Sequence, residues 1–157
     1  MKIAILTLSD TRDAKSDESG RVVRELAATL AGAEIVAQTI VPDDRRAIAD
    51  TLVRLADAQG CRLILTTGGT GVSPRDVTPE ATLDVCDRLV PGLAEAMRAE
   101  SLKKTPMAMI SRAVAGLRGG TLIVNLPGSP KGARECLEAI LPVLPHALEL
   151  AAGGKPH

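Results

Sequence analysis

The 157-residue sequence contains no phenylalanine, tyrosine or tryptophan. Its core must therefore be packed from aliphatic and methionine side chains, and any bound ring must lie against aliphatic groups or peptide planes. Proteins that hold single-stranded nucleic acid use aromatic stacking platforms, which this chain lacks. Since the formal net charge is also zero, we expect no nucleic-acid partner.

Cysteine and histidine are scarce as well. Cys61, Cys86 and Cys136 are far apart and form no CxxC pair, which fits neither a disulfide framework nor a zinc site. We expect them to be small residues in or near the core. His146 and the terminal His157 offer no general base beside a nucleophile, so no Ser-His-Asp or Cys-His arrangement is predicted.

Long apolar runs are absent. The N-terminal MKIAILTLSD is too short in its apolar part for a signal peptide or a membrane span. We therefore expect a cytoplasmic protein without a membrane partner. A chain of this length buries a core without disulfides or metals, and its composition is that of a globular domain. The prediction is a single domain over residues 1–152, followed by a short frayed tail over 153–157.

Short apolar runs alternate with helical periodicity along the chain. The predicted elements are strand 2–8, helix 20–30, strand 33–41, helix 43–60, strand 61–67, a helix capped by Thr78, helix 93–103, two strands joined at Gly119 and Gly120, and a final helix interrupted by Pro142 and Pro145. Repeated βαβ units predict an α/β fold, a three-layer doubly wound sheet that is mostly parallel. The two strands joined by glycines would add one antiparallel strand.

Four loops follow the predicted parallel strands. In open parallel sheets, ligands bind outside the carboxyl ends of the strands, where the loops enter the helices. The loops concerned are LSDTR, VPDD, TTGGTGVSPRD and NLPGSPKG. Because these ends share one edge of the sheet, we expect the four loops to surround a common site.

The segment GGTG at Gly68 to Gly71 is rich enough in glycine to turn its backbone N–H groups toward an anion. Neighbouring Thr66, Thr67 and Thr70 add hydroxyl donors. The segment is not a nucleoside-triphosphate P-loop, because Arg75 and Asp76 follow instead of a lysine and a serine or threonine. A connection that only turns the chain is the alternative interpretation.

NLPGSPKG repeats this pattern. Ser129 is placed to cap a helix that Pro130 opens, which leaves free N–H groups beside Gly128 and the cation Lys131. An ordinary strand-turn-helix junction would have the same residues. The shared edge favours a pocket formed by both glycine-rich loops.

Three aspartates, Asp10, Asp43 and Asp76, fall in these loops. Carboxylates that converge on phosphates are a usual way to hold Mg²⁺. Other roles remain open: Asp43 as a helix cap, Asp10 in an Asx turn, and Asp76 paired with Arg75 or Arg112. We favour the turn for Asp10 and functional roles for the other two. Arg112 is either a phosphate contact or part of an exposed ion pair.

The segment from Thr66 to Thr82, TTGGTGVSPRDVTPEAT, closely resembles the signature of the molybdenum cofactor biosynthesis family, the molybdopterin-binding domain. The likeness runs nearly end to end. LTLSDTR, IVPDD, PGLAEAMR, SRAVAGL and NLPGSPKGARE all resemble that family in the right order and spacing.

This resemblance implies an adenylyltransferase activity. The phosphate of molybdopterin would attack the α-phosphorus of Mg-ATP, giving adenylylated molybdopterin and pyrophosphate, and a separate molybdenum insertase would then add molybdate. The family also implies a homo-oligomer, commonly a trimer. Alternatives are a non-catalytic molybdopterin-binding paralogue and a nucleotide pyrophosphatase-type domain. The motifs RDVTPE and NLPGSPKG resemble the catalytic branch of the family more closely.

Residue roles are carried over by matching positions. Asp43 and Asp76 match the family's functional aspartates and are assigned to catalysis and to Mg²⁺. The residues assigned to binding are Ser9, Asp10, Thr67, Gly68, Gly69, Thr70, Gly71, Ser111, Asn125, Pro127, Gly128, Ser129 and Lys131. An anionic phosphate needs no strong base, so catalysis would consist of positioning and charge neutralisation. The family often has aromatic residues where this chain has none, so the residues that contact the rings are not assigned.

Overall fold

Residues 1–155, which a computed structural model describes, form six strands and six α-helices. In chain order they are β1 (Lys2–Leu8), α1 (Glu18–Ala27), β2 (Glu34–Val41), α2 (Arg45–Val53), β3 (Leu63–Thr67), α3 (Thr78–Val85), β4 (Arg88–Leu89), α4 (Pro91–Leu102), β5 (Ala115–Arg118), β6 (Thr121–Leu126), α5 (Pro130–Ile140) and α6 (Leu144–Ala151). A π-helical turn extends α2 over Arg54–Ala58, and 3₁₀ turns cover Pro106–Ile110 and Leu141–Val143.

The strands form one sheet in the order β2-β1-β3-β6-β5-β4. Strands β1, β2, β3 and β6 are mutually parallel, and β5 pairs antiparallel with β6. Strand β4 pairs antiparallel with β5 and therefore runs in the common direction. The prediction of a mostly parallel sheet with one reversed strand is confirmed. The sequence did not reveal β4, because two exposed residues are too short for a detectable pattern.

Alternate residues of each central strand face opposite layers of helices. Ile3 and Ile5 of β1 pack in a core with residues of α1, α4, α5 and α6, whereas Ala4 and Leu6 pack against α2 and α3. Burial on both faces explains why these strands read as continuous apolar runs. The predicted three layers are confirmed.

The cysteines are free thiols within the fold. Cys61 and Cys136 are buried and Cys86 is partly buried, as expected for small core or near-core residues. Burial raises the pKa of the Cys86 thiol to about 11, so it remains protonated at neutral pH. Met97 on α4 takes part of the core volume that aromatic residues usually fill.

Several predicted helix starts differ from the observed ones; α4, for example, begins at Pro91 rather than at Leu93. Helix α1 begins before Gly20, because the Asp17 side chain caps it by accepting a hydrogen bond from the Gly20 N–H. The prediction that Thr78 caps α3 is wrong. Thr78 is the first helical residue, and its hydroxyl donates instead to the Gly68 carbonyl at 2.9 Å.

The predicted interruption of the last helix near Pro142 is confirmed. The 3₁₀ turn that contains Pro142 separates α5 from α6, since proline cannot continue the helical hydrogen bonds. Beyond α6, Gly154 still donates to the Glu149 carbonyl at 3.0 Å. The remainder of the predicted tail, Pro156 and His157, lies outside the described residues. Among residues 1–155, none of the helices combines the length and apolar character that a membrane span requires.

Candidate active site at the carboxyl edge

The loops that leave the parallel strands meet at one edge of the sheet, as predicted. The Gly68 N–H donates to the Leu126 carbonyl at 3.1 Å, which joins the loop after β3 to the end of β6. A Cβ atom at Gly128 would lie only 3.3 Å from the Gly68 Cα. The two glycine-rich loops are therefore in direct contact, and they bound a single site.

The GGTG loop needs glycine for conformation and for space. Gly68 has φ +101° and Gly69 has φ +66°, a region that other residues rarely adopt. A Cβ at Gly68 would lie 2.6 Å from the Leu8 carbonyl oxygen, and one at Gly69 would lie 2.3 Å from the Thr78 Oγ1. The loop is thus fixed against β1 and α3, and its role as an anion cradle stays a prediction.

The carboxylates of Asp43 and Asp76 flank this loop. Asp43 Oδ1 is 3.1 Å from the Cβ position of Gly69, and Asp76 Oδ2 is 2.8 Å from that of Gly71. Asp76 Oδ2 also accepts a hydrogen bond from the Ser73 N–H at 3.0 Å. Both carboxylates therefore border the surface at which an anion would meet the backbone.

The site leaves Asp43 in a negative environment. Partial burial raises the pKa of Asp43, and the charges of Asp10 and Asp76 raise it further while Arg75 lowers it. Within residues 1–155, no group of three or more His, Cys, Asp or Glu residues is arranged to hold a metal ion. Two carboxylates plus phosphate oxygens nevertheless suit Mg²⁺, which keeps several non-protein ligands.

The helix cap next to Asp43 belongs to its neighbour. Asp44 caps α2 by accepting a hydrogen bond from the Ala47 N–H at 2.8 Å. The capping role left open for Asp43 is therefore filled by Asp44, and the Asp43 side chain lies at the glycine loop instead.

Asp10 connects three loops. Its Oδ2 accepts hydrogen bonds from the Arg75 guanidinium at 2.6 and 3.0 Å, and its Oδ1 accepts one from the Asp43 N–H at 3.0 Å. These contacts, chiefly the one with Arg75, hold the pKa of Asp10 below its ordinary value. The favoured Asx turn is wrong, because Asp10 bonds to residues that are distant in the chain. The possible Asp76–Arg75 pair is also replaced, since Arg75 binds Asp10.

Arg112 braces the glycine loop from the other side. Its guanidinium donates to the carboxylate of Glu80 and, at 2.6 Å each, to the carbonyls of Gly71 and Asp76. Its backbone N–H donates to the Thr70 carbonyl at 2.8 Å. Of the two predicted roles the ion pair is the one observed, and the bonds from Arg112 to the Gly71 and Asp76 carbonyls hold the second half of the loop.

Several residues assigned to binding make structural hydrogen bonds. Ser9 Oγ accepts from the N–H groups of Thr11 and Arg12 and orders the loop after β1. The buried Thr67 hydroxyl donates to the Pro127 carbonyl at 2.6 Å and ties the two glycine-rich loops together. Direct contact of Ser9 and Thr67 with a substrate stays a prediction.

Asn125 is completely buried at the end of β6. Its amide nitrogen donates to the hydroxyls of Thr66 and Thr82, and its oxygen accepts from the Val114 N–H at 3.2 Å. Asn125 thereby joins β3, α3 and the segment before β5. Its predicted contact with a ligand is untested.

The loop after β6 begins α5 as predicted. Ser129 caps this helix by accepting a hydrogen bond from the Gly132 N–H at 3.1 Å. Lys131 stands at the rim, with its side chain 84% exposed. The helix N-terminus therefore faces the site with a capping hydroxyl and an exposed cation nearby.

A cavity of about 260 Å³ adjoins the glycine loop at Thr70 and Gly71. It lies between α4, the 3₁₀ turn Pro106–Ile110 and α5. Its apolar lining includes Ala94, Met97, Ala108, Ile110, Ala113 and Cys136. Ser111, predicted for the pocket, lines it, and so does Glu135, which sequence reasoning missed. The position of Glu135 six residues after the Ser129 cap was the available signal, but only the packing of α4 on α5 creates the cavity.

Comparison with known proteins agrees with this geometry. A family model described as a probable molybdopterin binding domain matches residues 4–146. The molybdopterin adenylyltransferase of Helicobacter pylori strain J99 is 44% identical over 154 residues, which cover 96% of this chain and 88% of that protein.

Solved structures of similar proteins share the whole architecture. The molybdopterin biosynthesis enzyme MoaB from Thermus thermophilus is 56% identical, with a TM-score of 0.87 over 99% of this chain and 98% of that one. The molybdopterin biosynthesis Mog protein from Mycobacterium ulcerans is 40% identical, with a TM-score of 0.87 over 96% and 98% of the two chains. The likeness therefore spans both glycine-rich loops and all the layers around them.

Proposed function

The chain belongs to the molybdopterin-binding domain family, and we propose from this premise that it acts as a molybdopterin adenylyltransferase with Mg-ATP as the second substrate. A phosphate oxygen of molybdopterin forms a bond to the α-phosphorus of ATP, and the bond between the α-phosphorus and the oxygen bridging to the β-phosphate breaks. Pyrophosphate leaves with that electron pair. The products are adenylylated molybdopterin and pyrophosphate.

The observation that carries this proposal is the pair of carboxylates against the glycine loop. Asp43 borders Gly69 and Asp76 borders Gly71, beside a second glycine-rich loop that caps a helix. Phosphoryl and nucleotidyl transfer depend on positioning and charge neutralisation more than on covalent chemistry by the protein. An ionised phosphate nucleophile needs no base, which agrees with a site built from aspartates and backbone groups.

The residues present fit a magnesium ion. Asp43 and Asp76 would hold it together with phosphate oxygens, and it would supply positive charge against the phosphates. The protein's own contribution is the rigid loop. Gly68 and Gly69 hold the backbone close to the anion, and Arg112 and Asp10 fix the loop from two sides. Reacting groups held in this way need little reorganisation.

The test is formation of the product. Purified protein is incubated with molybdopterin, Mg²⁺ and ATP, and adenylylated molybdopterin and pyrophosphate are separated by chromatography. We expect both products in equal amounts, and neither without pterin. Pterin binding without product would support a non-catalytic paralogue. ATP cleavage that proceeds equally well without pterin would support a pyrophosphatase-type activity.

Three further features belong to the same proposal. We expect a homotrimer, a cytoplasmic location and transfer of the product to a separate molybdenum insertase, all supported by the family resemblance. Light scattering of the purified protein measures the number of subunits directly. Protein concentration for that experiment must come from refractive index or peptide absorbance, because the chain has no tryptophan or tyrosine.

A further inference from the structure

The cavity next to the glycine loop is suited to a single ring system. Its volume of about 260 Å³ lies just below the usual range of about 300–1,000 Å³ for pockets that enclose a whole small ligand. Its walls are mainly aliphatic and thioether groups, among them Met97, Ala113 and Ile110. In a chain without aromatic residues, methionine and aliphatic side chains are the groups left to contact the faces of a heterocycle.

Helix α5 links this cavity to the phosphate-binding edge. Ser129, Gly132, Glu135 and Cys136 all line the cavity from one face of the helix. Glu135 lies six residues after the capping residue Ser129, which corresponds to about 9 Å along the helix axis. A ligand with its phosphate at the helix N-terminus would therefore extend its ring toward Glu135.

Glu135 is a largely buried carboxylate with hydrogen-bonding capacity to spare. Its side chain is 17% exposed, and Oε1 lies 3.5 Å from Lys104 Nζ and 4.0 Å from Lys131 Nζ. These distances are ion pairs rather than good hydrogen bonds. The two ammonium groups offset the negative charge and leave the acceptor lone pairs for a donor in the cavity.

The pterin ring offers a matching pair of donors. Its N3–H and 2-amino group lie side by side, and a carboxylate accepts both, as it accepts the paired N–H groups of arginine. Adenine instead presents an amino donor next to the N1 lone pair, which a carboxylate repels. We propose that Glu135 is the specificity-determining residue that selects the pterin ring of molybdopterin in this cavity. The inference rests on the proposed function and names how one of its substrates is recognised.

The first experiment measures binding of a fluorescent, oxidised pterin that carries a phosphate. The chain has no aromatic residues, so pterin fluorescence is read against almost no protein background. Glu135→Gln is expected to weaken pterin binding by about 10-fold or more, the effect of losing a charge-assisted hydrogen bond. Affinity for a non-hydrolysable ATP analogue should not change.

Glu138→Gln is the matched control. Glu138 lies on the same helix, is exposed, and pairs with Arg134 at 3.6 Å rather than lining the cavity. We expect wild-type affinity for pterin in this variant. Thermal denaturation followed by circular dichroism checks that both variants fold.

A second probe separates recognition from a structural role of Glu135. Lumazine carries a 2-oxo group in place of the 2-amino group, so a carboxylate accepts from its N3–H but repels its 2-oxygen. Wild-type protein should prefer pterin to lumazine by about 10-fold or more, and Glu135→Gln should lose that preference, because its amide both accepts from N3–H and donates to the 2-oxygen. A structural defect would lower both affinities equally.

An unchanged pterin-to-lumazine ratio in Glu135→Gln would overturn the inference. So would a variant that loses ATP-analogue affinity while it keeps pterin affinity, since adenine would then occupy the cavity. Wild-type product formation is measured in parallel. If product forms and the ratio is unchanged, only the role of Glu135 fails; if the ratio depends on Glu135 but no product forms, the adenylyltransferase proposal fails.

Discussion

The glycine loop after β3 and the cavity beside α4 adjoin at Thr70 and Gly71, yet they are built in opposite ways. Charged side chains fix the loop: Arg112 binds the carbonyls of Gly71 and Asp76, and Asp10 links Arg75 to the backbone of Asp43. The cavity is lined mainly by apolar groups of α4, α5 and the segment between residues 106 and 113. Fixed charges suit the phosphate chemistry, whereas an apolar wall with one carboxylate suits recognition of a ring.

This contrast predicts that substitutions in the two regions alter different quantities. Changes around the loop should lower the rate of adenylylation and leave pterin affinity largely intact. Changes at Glu135 should lower pterin affinity, as tested above. A loop variant that lowers pterin affinity, or a Glu135 variant that lowers the rate at saturating pterin, would show that the two regions are coupled.

The largest effect is expected at the two loop aspartates. Asp43→Asn and Asp76→Asn should each lower kcat by at least about 100-fold, because each removes a carboxylate that would hold the Mg²⁺ that neutralises the reacting phosphates. Product chromatography measures the rate, and pterin fluorescence measures the retained affinity. Since burial disfavours ionised Asp43 and raises its pKa, Asp43→Asn should also fold at least as stably as the wild type.

Asp44→Asn is the control for both variants. Asp44 is the immediate neighbour of Asp43 but caps α2, and asparagine caps as well as aspartate does. Near wild-type turnover is expected. Wild-type turnover in Asp43→Asn or Asp76→Asn would remove that residue from the proposed metal site.

A second, smaller effect concerns the backbone of the loop. Gly69→Ala should lower the free energy of unfolding by about 2–5 kcal/mol, the sum of left-handed strain and overpacking against Thr78. Gly32→Ala places alanine at a similar φ of +71° with no atom within 4 Å of the new Cβ. It should cost only the strain, about 1–2 kcal/mol. Urea denaturation followed by circular dichroism measures the free energy of unfolding of both variants. An equal decrease in the two would show that the loop accommodates the new Cβ at Gly69 without overpacking against Thr78.

The smallest effect is a shift in pH dependence. Ionised Asp43 is the form that binds a cation, and its pKa is raised. As the pH falls, kcat/KM should therefore decrease at a higher pH than an ordinary aspartate would cause. Arg75 lowers the pKa of Asp43, so Arg75→Gln should move the acid limb to higher pH. Arg46→Gln, at a side chain that is 91% exposed, should leave it in place. An acid limb that does not move in Arg75→Gln would exclude Asp43 as the titrating group.

The elements of the fold followed from local patterns. Continuous apolar runs predicted the parallel strands, and paired glycines predicted the junction between β5 and β6, because burial and turn geometry act over a few neighbouring residues. The Ser129 cap was predicted for the same reason. The prediction of a Thr78 cap was wrong, although Thr-Pro fits a helix start. The Thr78 hydroxyl instead donates a hydrogen bond to the Gly68 carbonyl, ten residues earlier in the chain.

The sequence predicted which loops meet at the carboxyl edge, but not how their side chains pair. The shared edge brought Asp43, Asp76 and the two glycine-rich loops together as expected. The partner of Asp10 was not foreseen, because Arg75 is 65 residues distant in the chain. No local pattern distinguishes an aspartate that turns the backbone from one that pairs across loops.

The sequence by itself determined the α/β alternation, the carboxyl-edge loops and the glycines at the positive φ angles of the loop after β3. These features depend on residue type and short-range spacing, which do not change with the tertiary contacts of the chain. Only the tertiary structure decided which charges pair and where a ring-sized cavity opens. Glu135 lines that cavity because α5 packs on α4, and such long-range packing depends on the shapes of whole layers.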